Sequence, residues 1–182
     1  AKGVAFAGGA EEVLGWIRYL AMLAGQAVGK DHPQVSFALR DGSRVTVTHP
    51  PVGLSISLRR KRAEPWTLED WLDGGSLSAE VADWLRLVFE SGRLGVLFAG
   101  GSGTGKTSLL EAVLGFVPVG NVLLIQENAE LHTEVHPTLS VFMADPRHPR
   151  SPTGLRAIAT GAMLQAPKFV IIGEVKGAEV VP

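Results

Sequence analysis

Residues Gly100 to Thr107 read Gly-Gly-Ser-Gly-Thr-Gly-Lys-Thr and satisfy the spacing G-x-x-x-x-G-K-[ST]. This residue choice suits phosphates. Gly100, Gly101, Gly103 and Gly105 let successive backbone N–H groups curl around an anion, and Lys106 can reach the β and γ oxygens. Thr107 offers its hydroxyl to Mg²⁺, and the wrapped stretch includes Ser102, Thr104 and Ser108. A glycine-rich turn that merely connects a strand to a helix has no need of the Lys-Thr pair. The expected context is an apolar strand over Leu94 to Ala99 before the loop and a helix from Gly105 to Gly115 after it, with a dipole that favours anions.

Two acidic sites accompany the loop. The first is Glu174, which with Gly173 follows the short apolar run Phe169 to Ile172, the carboxyl end of a predicted strand, where open α/β sheets bind ligands. A carboxylate there can polarise an attacking water or hold Mg²⁺ through water. The second is Glu127-Asn128-Ala129-Glu130 after the run Val122 to Gln126, so Glu127 and Glu130 are candidates for Mg²⁺ or water contacts. Lys106, Glu127, Glu130 and Glu174 are the candidate catalytic groups, and Thr107, Glu130 and Glu174 the candidate metal contacts.

The elements that must position these residues follow from periodicity. Val13, Ile17, Leu20 and Ala24 recur at helical spacing over Glu11 to Ala24. Val35, Phe37 and Leu39 then alternate with Ser36, Ala38 and Arg40, and alternation resumes at Val45 and Val47 after Asp41-Gly42, the signature of a hairpin. Leu54, Ile56 and Leu58 form a further alternating run after Pro50-Pro51, and the basic run Arg59 to Arg62 ends this part. A connector follows. Thr67 is an N-cap with Asp70 three residues on and Trp66 and Trp71 as a hydrophobic staple, while Ser78 caps a helix with an apolar face at Val81, Trp84, Leu85 and Val88. From Leu94 apolar strands alternate with helices, the last helix following Ser151-Pro152. The expected fold is α/β: a small N-terminal α/β domain over 1–62, helices over 63–92, and a domain with a mainly parallel sheet over 93–182.

Composition bounds the rest. Seventeen Lys plus Arg against eighteen Asp plus Glu give a net charge of −1, which supplies no general drive toward nucleic acid or an anionic membrane. Cysteine is absent, which excludes a disulfide framework and thiolate zinc sites. No apolar run reaches membrane-spanning length, so a soluble chain is expected. The chain lacks an initial Met and stops at Pro182 close to an active-site strand, and it reads as a portion of a longer protein.

These motifs resemble the secretion and pilus-motor ATPases of bacterial type II and type IV systems, including the tight-adherence pilus motors, over most of the chain from about Glu11 to Glu179. Gly101 to Thr107 is similar to that family's Walker A, Ile125 to Leu131 to its acidic box, and Ile171 to Gly177 to its atypical Walker B, which uses Gly-Glu in place of an aspartate. Asp41 to Val45, Pro50-Pro51 and Leu58-Arg59-Arg60 match the order of landmarks in its N-terminal domain. The resemblance implies a RecA-like P-loop ATPase that binds ATP and Mg²⁺ and works as a homo-hexameric ring. It further implies a cytoplasmic location at the inner membrane, held there by the platform protein of a pilus or secretion machine. Arg44, Arg59 and Arg60 are the implied candidates for closing over the phosphates.

The chain departs from the pattern in places. Gln126-Glu127 stands where the family usually has Glu then Asp, Lys176 replaces an arginine, Leu164, Gln165 and Ala166 stand where arginines are common, and the histidine box expected downstream lies beyond the chain. These departures motivate the alternative reading, a nucleotide-binding scaffold that does not hydrolyse ATP. No Asn-Lys-x-Asp segment supports a GTPase, no basic and aromatic stripe suggests single-stranded nucleic acid, and no direct sequence-specific nucleic-acid binding is expected. His132 and His136 lie four apart without the His-Glu-x-x-His order, and a loop or strand beside the acidic box fits them better than a zinc helix. Arg147, His148 and Arg150 read as a solvated loop, and Trp66, Trp71 and Trp84 as core packing.

Overall fold

The computed structural model describes residues 9–145, 148 and 150–175. Backbone contacts divide the chain into two compact units, 1–62 and 63–182, and the helical stretch 63–92 lies in the second.

In the first unit, helix α1 (Gly9–Leu23) covers an antiparallel sheet of β1 (Gln34–Ala38), β2 (Arg44–Thr48) and β3 (Ser55–Arg59), in that order. Leu14, Ile17 and Ala21, one helical face, bury against Phe37, Val45 and Val47. The helix stripe therefore centres one residue away from the expected Val13, Ile17, Leu20 and Ala24, whose outer three members flank the core. The Asp41-Gly42 turn forms as expected. Gly42 sits at φ +81°, and Asp41 accepts hydrogen bonds from the Ser43 N–H and hydroxyl, each at 2.9 Å. Those two bonds, with a smaller contribution from the nearby Arg60 charge, hold the Asp41 carboxyl below its ordinary range.

In the second unit, α2 (Leu68–Asp73) starts with the full capping box between Thr67 and Asp70, and Trp66 meets Trp71 at 5.9 Å between ring centroids. Helix α3 (Ala79–Ser91) is capped by Ser78 and ends at Gly92 with φ +58°. A side chain at Gly92 would place its Cβ 2.5 Å from the Phe169 ring, so this turn also admits a close approach to the sheet. Helix α4 (Lys106–Leu114) opens at the phosphate loop. Strands β4 (Val122–Gln126), β5 (Leu139–Met143) and β6 (Phe169–Ile172) form a parallel sheet in the order β5-β4-β6, and α5 (Leu155–Met163) packs on β4. All five residues of β4 are buried. Its apolar residues need cover on both faces and receive it: Leu123 and Ile125 pack with Leu155 and Ala162, and Val122 packs with Leu114 and Val117.

Three expectations fail here. Leu94 to Ala99 is irregular rather than a buried strand, with Leu97 84% exposed. An apolar run becomes a strand only where ladder partners meet its backbone groups, and none pairs with this one among the described residues. On α3 the buried face is Ala82, Leu85 and Val88, while Val81 and Trp84 point to solvent, so Trp84 is not a core residue. Strand β6 is half-buried rather than fully covered. Strand β5 escaped the sequence reading because Leu139-Ser140-Val141-Phe142-Met143 lacks clean alternation. No described helix is long and apolar enough to cross a membrane.

Candidate functional site

The phosphate loop turns through two left-handed glycines, Gly103 at φ +76° and Gly105 at φ +90°. At Gly105 the requirement is double, because a Cβ there would also lie 2.5 Å from Cη2 of Trp71. The indole of α2 thus packs directly against the last turn before Lys106. Within the loop, the Gly101 carbonyl accepts bonds from the Lys106 Nζ at 2.7 Å and the Thr104 hydroxyl at 2.9 Å. Helix α4 begins at Lys106 with no side-chain cap, so its first N–H groups face the loop.

Parallel pairing brings the carboxyl ends of β4 and β6 to the same side of the sheet: Ile125 lies opposite Ile172, and the Gly173 N–H donates to the Ile125 carbonyl at 2.9 Å. A pocket opens at these ends, lined by Thr107, Gln126, Glu127, Asn128, Glu130, Leu131, Gly173 and Glu174. The hydroxyl that ends the phosphate loop and the three acidic candidates, Glu127, Glu130 and Glu174, therefore border one space. Glu174 is exposed, and Thr107, Glu127 and Glu130 are half-buried. The donors are all oxygens, the set that Mg²⁺ prefers. Among the described residues, no three His, Asp or Glu side chains form a metal site by themselves. This fits an ion that keeps several waters and takes the rest of its coordination from substrate phosphates.

The acidic turn is tied to the phosphate-loop helix by a residue absent from the sequence reading. Glu111, buried on α4, accepts from the backbone N–H of His132 at 2.9 Å and from its ring Nδ1 at 2.6 Å, and from the Trp66 N–H at 2.9 Å. One carboxylate thereby joins α4, the end of the acidic box and the start of the helical connector. Its signal was present, since Glu111 is the single charge in Ser-Leu-Leu-Glu-Ala-Val-Leu. His136 donates from Nε2 to the Val117 carbonyl at 2.9 Å and accepts from the Thr138 N–H at 3.4 Å. Both histidines are thus buried and flank a 3-10 helix, Thr133–Val135, where a loop or strand was expected.

The basic candidates lie in the first unit. Arg44 and Arg59 are paired across β2 and β3, which puts both on the sheet face opposite the Val45 and Val47 core. Arg59 and Arg60 are exposed. Lys176 and Arg147, two further residues considered from sequence, lie outside the described residues. His148 Nδ1 stands 3.0 Å from Asp145 Oδ2.

The chain is 27% identical over 173 residues to an uncharacterized protein of Methanocaldococcus jannaschii, covering 92% of this chain and 31% of that protein. It is 30% identical over 174 residues to a protein of Mycobacterium tuberculosis named for conjugal transfer, covering 89% of this chain and 49% of the relative. With the type IV secretion system protein PtlH of Bordetella pertussis the identity is 24% over 176 residues, covering 82% and 52%. The chain spans about a third to a half of the length of these relatives. Among solved structures, it is similar to the VirB11 ATPase of the Brucella suis type IV secretion system, with a TM-score of 0.45 and 21% identity, covering 93% of this chain and 58% of that one. The model of the type II/IV secretion system protein family matches residues 34–182, and the chain belongs to that family.

Proposed function

We propose that the chain is the ATP-binding and hydrolysing part of a motor subunit in a secretion or type IV pilus machine. The observation that carries this reading is the single pocket bordered by Thr107, Glu127, Glu130 and Glu174 beside the phosphate loop. In this reading the loop N–H groups and the start of α4 bind the β and γ phosphates, and Lys106 leaves the Gly101 carbonyl for a phosphate oxygen. Thr107, with Glu130 and Glu174 through water, would hold Mg²⁺, which when bound would neutralise charge on the phosphates. Glu174 polarises the attacking water. The water oxygen bonds to the γ phosphorus, the bridging P–O bond to ADP breaks with its electron pair leaving on ADP, and the water proton passes to Glu174 and then to phosphate.

Arg44, Arg59 and Arg60 are the proposed cations that close on the phosphates. Arg44 and Arg59 are cross-strand partners on one face of the first unit's sheet, and guanidinium groups suit phosphate oxygens. Work would come from domain movement in a homo-hexameric ring in the cytoplasm, docked to an inner-membrane platform protein. In full-length protein, Lys106→Ala abolishes ATP binding measured at equilibrium while the fold stays intact by circular dichroism. Unchanged affinity in that variant would remove the loop from the nucleotide site.

A further inference from the structure

Two buried side-chain polar atoms lack a hydrogen-bond partner among the described residues, Trp71 Nε1 and Gln126 Oε1. Orphaned polar groups are uncommon in folded proteins and call for a reason. The two differ in setting. Trp71 packs on Gly105 and does not line the acidic pocket, so an apolar contact explains its position. Gln126 is only 4% exposed, yet it is one of the residues that line the pocket, with Thr107, Glu127, Glu130 and Glu174.

The backbone fixes where that amide sits. Gln126 is the last residue of the central strand, its carbonyl accepting from the Ala144 N–H at 2.9 Å. On the other side the sheet crowds it, since a Cβ added at Gly173 would lie 3.2 Å from the Gln126 Cβ. Glycine at 173 therefore lets the Gln126 stem pass beside the residue that precedes Glu174. An uncharged acceptor on a residue that borders the same pocket as a carboxylate is suited to bind a water by one hydrogen while the carboxylate takes the other.

We infer that Gln126 is a second water-positioning group, orienting the nucleophilic water that Glu174 polarises. This rests on the ATPase reading above. Gln126 exchanges no proton: the water gives one hydrogen bond to the amide oxygen and its transferred proton to Glu174. In this inference the amide oxygen, which has no partner among the described residues, takes the reacting water as its partner.

The test uses full-length protein and three measurements: ATP affinity, steady-state turnover and melting temperature. Gln126→Met keeps the reach of the side chain and removes the amide. Turnover falls tenfold to a hundredfold or so, while ATP affinity and KM stay within about threefold, because only an interaction with the reacting water is lost. The melting temperature holds or rises, since a buried unpaired polar group has been removed. A merely structural Gln126 would give the opposite, a lower melting temperature with turnover following it. Gln126→Glu returns an acceptor oxygen at the same reach and keeps at least a tenth of wild-type turnover. This second variant decides the matter if the Met variant does not fold, with turnover below a tenth counting against the inference. Wild-type turnover in Gln126→Met, or a loss matched by a loss of ATP affinity, overturns the inference alone. Absence of hydrolysis by the wild-type protein overturns the ATPase reading and this inference together.

Discussion

The two sides of the candidate site are built by opposite means. The turn that carries Glu127 and Glu130 is anchored to the core: it grows from β4, buried at every residue, and is fastened through His132 to the buried Glu111, while Glu174 is exposed at the end of the half-buried β6. The phosphate side is a surface loop whose residues from Gly100 to Thr104 are exposed, held at one point by Trp71 and closed by its own Gly101 carbonyl. The contrast has a chemical reason. Groups that orient a water must be fixed before the reaction, which packing achieves. Groups that wrap a phosphate must present N–H donors to an arriving ligand, so they cannot be spent on the protein interior.

Substitutions that separate stability from binding sharpen this contrast. The largest stability effect is expected at Glu111→Ala, which strands the Trp66 and His132 N–H groups and the His132 ring. A loss of about 3 kcal/mol in denaturant unfolding is expected, with the acidic side the first to loosen. Gly105→Ala, on the phosphate side, combines a left-handed backbone with the Trp71 contact and costs about 2 kcal/mol. If the contact contributes, Trp71→Ala combined with it in a double-mutant cycle recovers part of that loss, and strict additivity would assign the whole effect to the backbone. Trp84→Ala, large in volume but exposed, shifts unfolding by no more than about 0.5 kcal/mol.

The smallest effect lies in the first unit and depends on pH. The Asp41 carboxyl is held below its ordinary range, so its contribution is present above that range and lost as pH falls through the lowered folded-state value. Asp41→Asn removes that acid-side dependence from the unfolding curve. A wild-type curve flat from neutral pH down through the ordinary carboxylate range, with the same result in the variant, would deny the turn its part.

The same contrast explains what could be read from sequence. The Asp41-Gly42 hairpin, the Thr67–Asp70 capping box and the phosphate loop depend on residues close in the chain, and each formed where its local chemistry directed. The runs Val122–Gln126 and Leu94–Ala99 look alike in composition, yet one is the central strand and the other is irregular. Strand formation is decided by neighbours that lie far off in sequence, and no local pattern records them. Glu127, Glu130 and Glu174 were nameable because each follows an apolar run, and the parallel register of β4 and β6 then brings them to one pocket. Glu111 was passed over because it looks like an interruption within an apolar segment, and Gln126 was read only as a departure from the family's acidic box. Their importance is visible only once His132, Trp66 and Gly173 are seen against them.

The central claim, that this pocket hydrolyses ATP with Glu174 as the water-activating group, is tested most directly by single-turnover hydrolysis with Glu174→Gln in full-length protein. The account predicts ATP binding within about threefold of wild type and hydrolysis slowed by about a hundredfold or more. Hydrolysis at the wild-type rate in that variant would contradict it.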